Sequence, residues 1–201
     1  MSRKMISYKV MTESEAIRDQ VYKRCETELF YPPSASWDEE WRKIREDVLA
    51  IEKAQFEDPS PESLFIRRFQ EPATIVVLLR DTKTKKIVGF TYSIPLLNYA
   101  AGKGENFRED IERKDEGRKT AYSMSIALHP HYTGHRLSPK LGDALEKFLK
   151  EHRRYEFIEF DATEKNGYAK KVYENSKDRI VSGPYPHDSS LGRQVFFRER
   201  L

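Results

Sequence analysis

Cysteine is nearly missing: Cys25 stands alone in 201 residues. No disulfide can form within the chain, and no thiolate cage for a metal can be assembled. No apolar run reaches about 18 residues, the length a membrane-spanning helix requires. Residues 1–6 hold no long apolar segment either. We therefore expect a soluble, cytoplasmic protein with no membrane partner. An excess of one charge is also lacking, since 36 Lys and Arg stand against 33 Asp and Glu, a net +3, interleaved along most of the chain. Such interleaving marks a solvated surface and argues against nucleic acid as a partner. Internal repeats and low-complexity tails are absent, as are Gly-x-Ser-x-Gly, Walker and dinucleotide fingerprints. His129, His131 and His135 are close in sequence, but no second cluster of His, Cys or carboxylates has ligand spacing, so no metal is expected.

Aromatic residues are what the chain has in plenty: eleven Phe, eleven Tyr and two Trp. They supply large buried areas per residue, enough for one domain spanning residues 1–201. Residues 5–11 suit a first strand. Ile17, Val21, Cys25 and Leu29 recur every fourth position, which fits one face of a helix and makes Cys25 a core residue there. Ser36 and Glu39 have the spacing of a capping box. Trp41, Ile44, Val48 and Ile51 are the apolar stripe of the helix it would open, which stops at the prolines of 58–61. Residues 73–80 read as a buried strand, 81–85 as a turn and 86–94 as the returning strand. Residues 102–119 form a long charged connection in which Phe107 and Ile111 allow one short helix. It is either a functional segment or a tolerated surface insertion.

Residues 120–128 read as a strand, and Leu141, Ala144, Leu145, Phe148 and Leu149 as a helix after Pro139. A strand at 155–162, a short helix, and strands at 179–184 and 193–198 complete the chain. This order gives a mixed α/β sheet with antiparallel ends.

The segment between strand and helix, residues 129–141, is rich in polar and cationic side chains: His131, His135, Arg136 and Lys140. Ser138 suits an N-cap and Pro139 a first helical position. The first turn of a helix offers unpaired N–H groups at a positive dipole end, a natural anion site. An ordinary polar strand-to-helix turn fits the same residues.

Further along, Asn166, Ala169 and Tyr173 have a spacing of three and seven, directly after the 155–162 strand. With the strand, Pro130 and the loop from Thr133 to Ser138, this pattern resembles the core of the GNAT-type N-acetyltransferases over roughly residues 75–197. The resemblance implies a single GNAT-like domain with a mixed central sheet of six to seven strands, splayed in the middle, and helices on both faces. It implies acetyl-CoA as co-substrate and transfer of an acetyl (acyl) group to a primary amine by direct attack in a ternary complex. Backbone at Ile126, Ala127 and Leu128 would pair with the pantetheine arm. The loop of Thr133, Gly134, His135, Arg136, Leu137 and Ser138 would hold the pyrophosphate. Asn166 and Ala169 would border the cofactor, and Tyr173 would protonate the departing thiolate, as the chemistry wants of a phenol placed there.

The loop departs from the family's Q/R-x-x-G-x-G/A pattern in having Thr133 first, Arg136 in place of the first glycine and Ser138 at the small position. Lys177-Asp178 replace the usual Gly-Phe. Thr120 stands near where many members have a glutamate base, which leaves Glu116, Glu159, Asp161 and His129 as candidates. The acceptor, a small-molecule amine or a peptide, would enter between residues 30–36 and 184–191, which carry Phe30, Tyr31 and Tyr185. A monomer or a homodimer would serve. A non-catalytic coenzyme A-binding or regulatory module, and an enzyme acting on protein lysine or aminoacyl-RNA, also fit the sequence.

Overall fold

A computed structural model of the protein describes residues 13–31, 34–71, 73–100, 119–151, 155–164, 167–189 and 192–201. The strand expected at 5–11 lies outside the described residues, as does the charged connection up to residue 118. The four-residue spacing of Ile17, Val21, Cys25 and Leu29 resolves differently from the single helix expected. Helix α1 (Glu13–Arg24) stops short, and Cys25 opens strand β1 (Cys25–Phe30). A spacing of four puts residues on one face of a helix or a strand alike. Pairing decides: β1 runs antiparallel to β2 (Ile75–Asp81), a strand buried at nearly every position. Cys25 is thus a buried strand residue, and Ile17 is 51% exposed.

Helix α2 (Trp37–Gln55) buries Trp37, Trp41, Ile44, Val48 and Ile51, as its stripe predicts. Ser36 precedes it without the expected side-chain cap, while Asp38, Glu39 and Glu40 place negative charge at the positive end of its dipole. A second helix, α3 (Glu62–Gln70), was not foreseen; Phe65 and Phe69 are its buried face. Glu62 anchors it, accepting from Arg45 Nε at 2.6 Å and Trp41 Nε1 at 3.1 Å. Arg45 first, and Trp41 next, hold that carboxyl down at about 2.

Strand β3 (Ile87–Pro95) returns beside β2 and leads through α4 (Leu96–Ala100) towards β4 (Thr120–Leu128). Helix α5 (Leu137–Glu151) follows. Its Leu137, Leu141, Leu145 and Leu149 are all buried, against Val77, Leu79 and Leu128 on one face of the sheet. On the other face α2 and α3 lay an aromatic layer over Phe90 and Tyr92, with ring centroids 5.3–6.2 Å apart and mostly edge-on, the geometry the ring quadrupole prefers. Strand β5 (Phe157–Thr163), helix α6 (Tyr168–Ser176), β6 (Ile180–Ser189) and β7 (Gly192–Arg200) complete one seven-stranded sheet of order β1-β2-β3-β4-β5-β7-β6. The last two strands are longer than expected, so 184–189, read as part of a turn, belong to β6. Pro184 and Pro186 are tolerated because β6 is an edge strand with register shifts.

Arg179 ties α5 to this second half of the sheet. Its Nη1 donates to both oxygens of Glu146 at 2.8 Å, and its Nη2 lies 3.1 Å from Glu199. Burial, the larger effect, lifts Glu199 above the usual glutamate range, against the Ser176 hydrogen bond and the charge of Arg179. A carboxyl raised on folding stabilises fully below its ordinary pKa, and that contribution is lost as pH rises through the folded value. Relative to Glu199→Gln, wild-type stability should therefore decline as pH is raised from acid through the range above ordinary glutamate. Urea unfolding of both proteins across that range checks the sign.

Candidate functional site

Strands β4 and β5 run parallel, but they pair over four rungs only, from Thr120↔Phe157 to Ser123↔Phe160. Beyond that they part. Strand β5 stays with β7 out to Thr163↔Gln194, and β4 stays with β3 out to Leu128↔Gly89. The parting coincides with a β-bulge. Ser123 pairs with Ser93 and Ser125 with Tyr92, so Met124 is the extra residue. A bulge bends its strand and raises the local twist, which turns β4 away from β5. The Thr91 hydroxyl donates to the Ser125 carbonyl at 2.7 Å and holds the bent segment to β3. Among the described residues, the edge of β4 from Ser125 to Leu128 that faces β5 has no strand partner. Ala127 and Leu128 are buried there, while Ile126 is 42% exposed and lies beside Gly142 of α5. An exposed isoleucine next to an unpaired backbone edge and a helical glycine suits an extended, partly apolar ligand.

At the end of β4 a short 3-10 turn (Pro130–Tyr132) leads into the loop. The N–H and the hydroxyl of Thr133 both donate to the Pro130 carbonyl, at 3.2 and 2.7 Å, so its donors are taken up within the turn. Gly134 has φ +81° and Arg136 φ +59°, two left-handed positions close together. The second is occupied by a residue that pays about 1–2 kcal/mol for it. Glycine's conformation is thus kept at the position where the sequence has Arg136. The helix begins at Leu137, two residues before the expected first helical position Pro139, because the Leu137 side chain belongs to the buried stripe. Ser138 therefore lies inside the first turn, where the N–H groups of Leu137 and Ser138 have no intrahelical acceptor. His135 is half-buried, with Nδ1 shielded and without a described partner.

Arg136 and His135 line a cleft of about 550 Å³ between α1 and α5, with Glu15, Arg18 and Tyr22 opposite. Lys140 lines the same cleft with its ammonium already engaged. Its ammonium binds the carbonyls of Tyr22 (3.0 Å) and Cys25 (2.5 Å) at the C-terminal end of α1, over the Tyr22 ring. His129 and His131 stack on each other, centroids 5.1 Å apart, and among the described residues no three His, Cys or carboxylate side chains are grouped to hold a metal.

The two faces of the opening differ. On the α5/α6 face, Phe160 stacks on Phe197 (5.6 Å), and Tyr173, 40% exposed, leans on Phe197 at 6.3 Å. Ala169 is buried beneath, packed with Val195 and Phe197; Asn166 lies outside the described residues. Alternation along β5 points Glu159 and Asp161 to the opposite face. There the Tyr122 hydroxyl donates to Asp161 Oδ2 at 2.6 Å, just past the last β4–β5 rung. Glu159 is buried and held by Arg198 at 3.0 Å; burial lifts it above the glutamate range despite that cation. Tyr92 nearby is pushed up to about 12 by burial and then by Glu52.

Of the three base candidates among the described residues, Asp161 is the one placed at the mouth of the opening. His129 is beyond the far end of β4, and Glu116 lies outside the described residues. Tyr122 escaped the sequence reading, since nothing but its register opposite Glu159 marks it. Phe30 belongs to the core beside Trp37 rather than to an acceptor loop. Tyr31 is 62% exposed, and Pro32, Pro33 and the Tyr185 side chain lie outside what is described.

No described helix is long and apolar enough to cross a membrane. Among curated proteins, none matches the sequence. The fold does have solved relatives. An Ard1 structure from Thermoplasma volcanium aligns with TM-score 0.59 at 14% identity, covering 89% of this chain and 98% of that one. The ribosomal-protein-S18-alanine N-acetyltransferase of Escherichia coli gives 0.55 at 14% identity, covering 87% and 94%. Spermidine N-acetyltransferase of Vibrio cholerae gives 0.57 at 12% identity, covering 89% and 94%. These are likenesses of fold. The sequence itself matches the model of the acetyltransferase (GNAT) family over residues 37–176, more than half its length. That span runs from the start of α2 through the parted strands to the end of α6, and it makes the chain a member of the acetyltransferase (GNAT) family.

Proposed function

We propose that the protein transfers an acetyl group from coenzyme A to a primary amine by direct attack in a ternary complex. The observation that carries this reading is the opening between β4 and β5, with Tyr173 on one face and Asp161 on the other. The residues present suit the cofactor. The free edge of Ser125 to Leu128 offers backbone pairing to an amide-bearing arm, and Gly134 to Ser138 offer N–H groups at a helix N-terminus to a pyrophosphate. Acetyl-CoA would supply the acetyl thioester, with coenzyme A as the thiol released. An alkylamine arrives protonated, with an ordinary pKa near 10.4, and Asp161, fixed by Tyr122, takes that proton. The amine nitrogen then bonds to the thioester carbon, the C–S bond breaks as Tyr173 gives its proton to the sulfur, and the second proton shed by the acylated nitrogen restores the Tyr173 phenol through solvent. The acceptor is a small-molecule amine or a peptide. Structural neighbours named for spermidine and for a ribosomal-protein alanine support keeping both kinds of acceptor in the proposal.

Tyr173→Phe keeps the ring packing and removes the proton, so kcat should fall by roughly 10²-fold with coenzyme A affinity unchanged. Asp161→Asn should lower kcat by roughly 10²- to 10⁴-fold, again with the cofactor still bound. Turnover with an identified amine, set beside calorimetric coenzyme A binding, checks both; undiminished turnover in either variant removes that residue's role.

Arg136 gives a prediction of opposite signs. Glycine relieves the left-handed strain, so Arg136→Gly should match or exceed wild-type stability by up to about 1 kcal/mol. The guanidinium at the helix N-terminus favours phosphate, so the same variant should bind coenzyme A about tenfold more weakly at low salt, with the gap narrowing as salt rises. Thermal melts and titrations at two salt concentrations decide it. Equal affinity at both salts removes Arg136 from the phosphate site.

A further inference from the structure

We infer that Asp81, at the end of β2 and outside any motif of the site, is a positioning residue that sets the cofactor loop. This rests on the reading of residues 134–138 as the phosphate-binding segment. Asp81 is fully buried, and its carboxylate is a three-way junction. Oδ2 accepts from the Tyr132 hydroxyl at 2.6 Å and faces Arg24 Nε at 3.0 Å. Oδ1 accepts from the N–H of Lys83 at 2.9 Å and of Thr84 at 3.4 Å. The junction thus binds three separate stretches: the β2–β3 turn, the α1–β1 junction, and the last residue of the 3-10 turn that launches the loop.

Tyr132 is the link that matters. It is two residues before Gly134, and its own N–H closes on the His129 carbonyl at 2.8 Å. Fixing its ring fixes the plane from which the loop departs. Arg24 is held from a second direction, since Thr82 donates to its carbonyl through both N–H and hydroxyl at 2.9 Å. Its guanidinium also lies 5.9 Å from the Tyr132 ring centroid. On the far side of the loop, Lys140 ties the first turn of α5 to the same α1–β1 junction. Residues 133–136 are therefore suspended between two anchors, both of which use a segment upstream of the family match at residue 37. A loop with two left-handed residues is otherwise costly to hold in one conformation. A pre-set loop spares the ligand the ordering cost.

The test is Tyr132→Phe, which removes one hydroxyl and keeps the ring, with Asp81→Asn as a second variant. Coenzyme A affinity is measured by calorimetry well below the melting temperature. Phe69→Leu, in the aromatic layer on the other face of the sheet, serves as a control with comparable loss of stability. Both test variants should weaken coenzyme A binding by about 3- to 10-fold, raise KM for acetyl-CoA in proportion and leave saturated kcat within about twofold. The control should lose stability and keep wild-type affinity. If affinity is unchanged in Tyr132→Phe and Asp81→Asn, or falls equally in Phe69→Leu, the junction is merely structural and the inference fails while the cofactor site stands. If the wild type binds no coenzyme A, the proposed function fails and takes the inference with it.

Discussion

Everything proposed for this protein depends on two parallel strands separating after four rungs. A sheet normally satisfies its backbone groups by pairing on both sides, and an open edge in the middle of a sheet is costly unless something fills it. Here the bulge at Met124 turns β4 aside, while the antiparallel contact with β7 keeps β5 on its course. Neither half is loose. The first half is held by the aromatic layer on one face and the leucine stripe of α5 on the other. The second is tied back to α5 by Arg179, through Glu146 and Glu199. The opening is thus a built feature of a well-packed sheet, and the exposed Ile126 beside it is surface that a ligand would cover.

The alternation of side chains along a strand then distributes the chemistry. Successive residues of β5 point to opposite faces, so Phe160 supports Tyr173 on one side while Asp161 meets Tyr122 on the other. A phenol and a carboxylate on opposite faces of one slot suit a reaction in which one proton leaves the nucleophile and another reaches the leaving group. The start of α5 adds the electrostatic part, because a helix N-terminus carries partial positive charge whatever its side chains are. Under the proposed function the loop would tolerate Thr133 and Arg136 where its family favours other residues, because the groups it would offer an anion are backbone N–H, carried by a left-handed turn at Arg136.

The sequence was most legible where one signal pointed one way. Strand β4 was read with its observed limits, and the leucines of α5 and the stripe of α2 left no alternative period. Spacing failed at Cys25 and Leu29, because a repeat of four is shared by helices and strand faces, and only the partner strand β2 decides between them. Helix α3 was hidden behind the prolines of 58–61, although Phe65 and Phe69 one turn apart are its signature. The bulge at Met124 has no local signature, being set by pairing across two strands. Asp161 stood among four candidates until register placed it past the last rung, and Asp81 read as an ordinary turn residue because its partners Arg24 and Tyr132 are 57 and 51 positions away.

The central claim is that the parted edge of β4 and the N-terminal turn of α5 form one binding surface for coenzyme A. Backbone hydrogen exchange with and without coenzyme A tests it most directly, since protection is read segment by segment. The account predicts new protection at residues 125–128 and 134–138 together, with little change in the aromatic layer at Phe65, Phe69 and Phe90. Protection confined to other segments, or none at saturating coenzyme A, would contradict it.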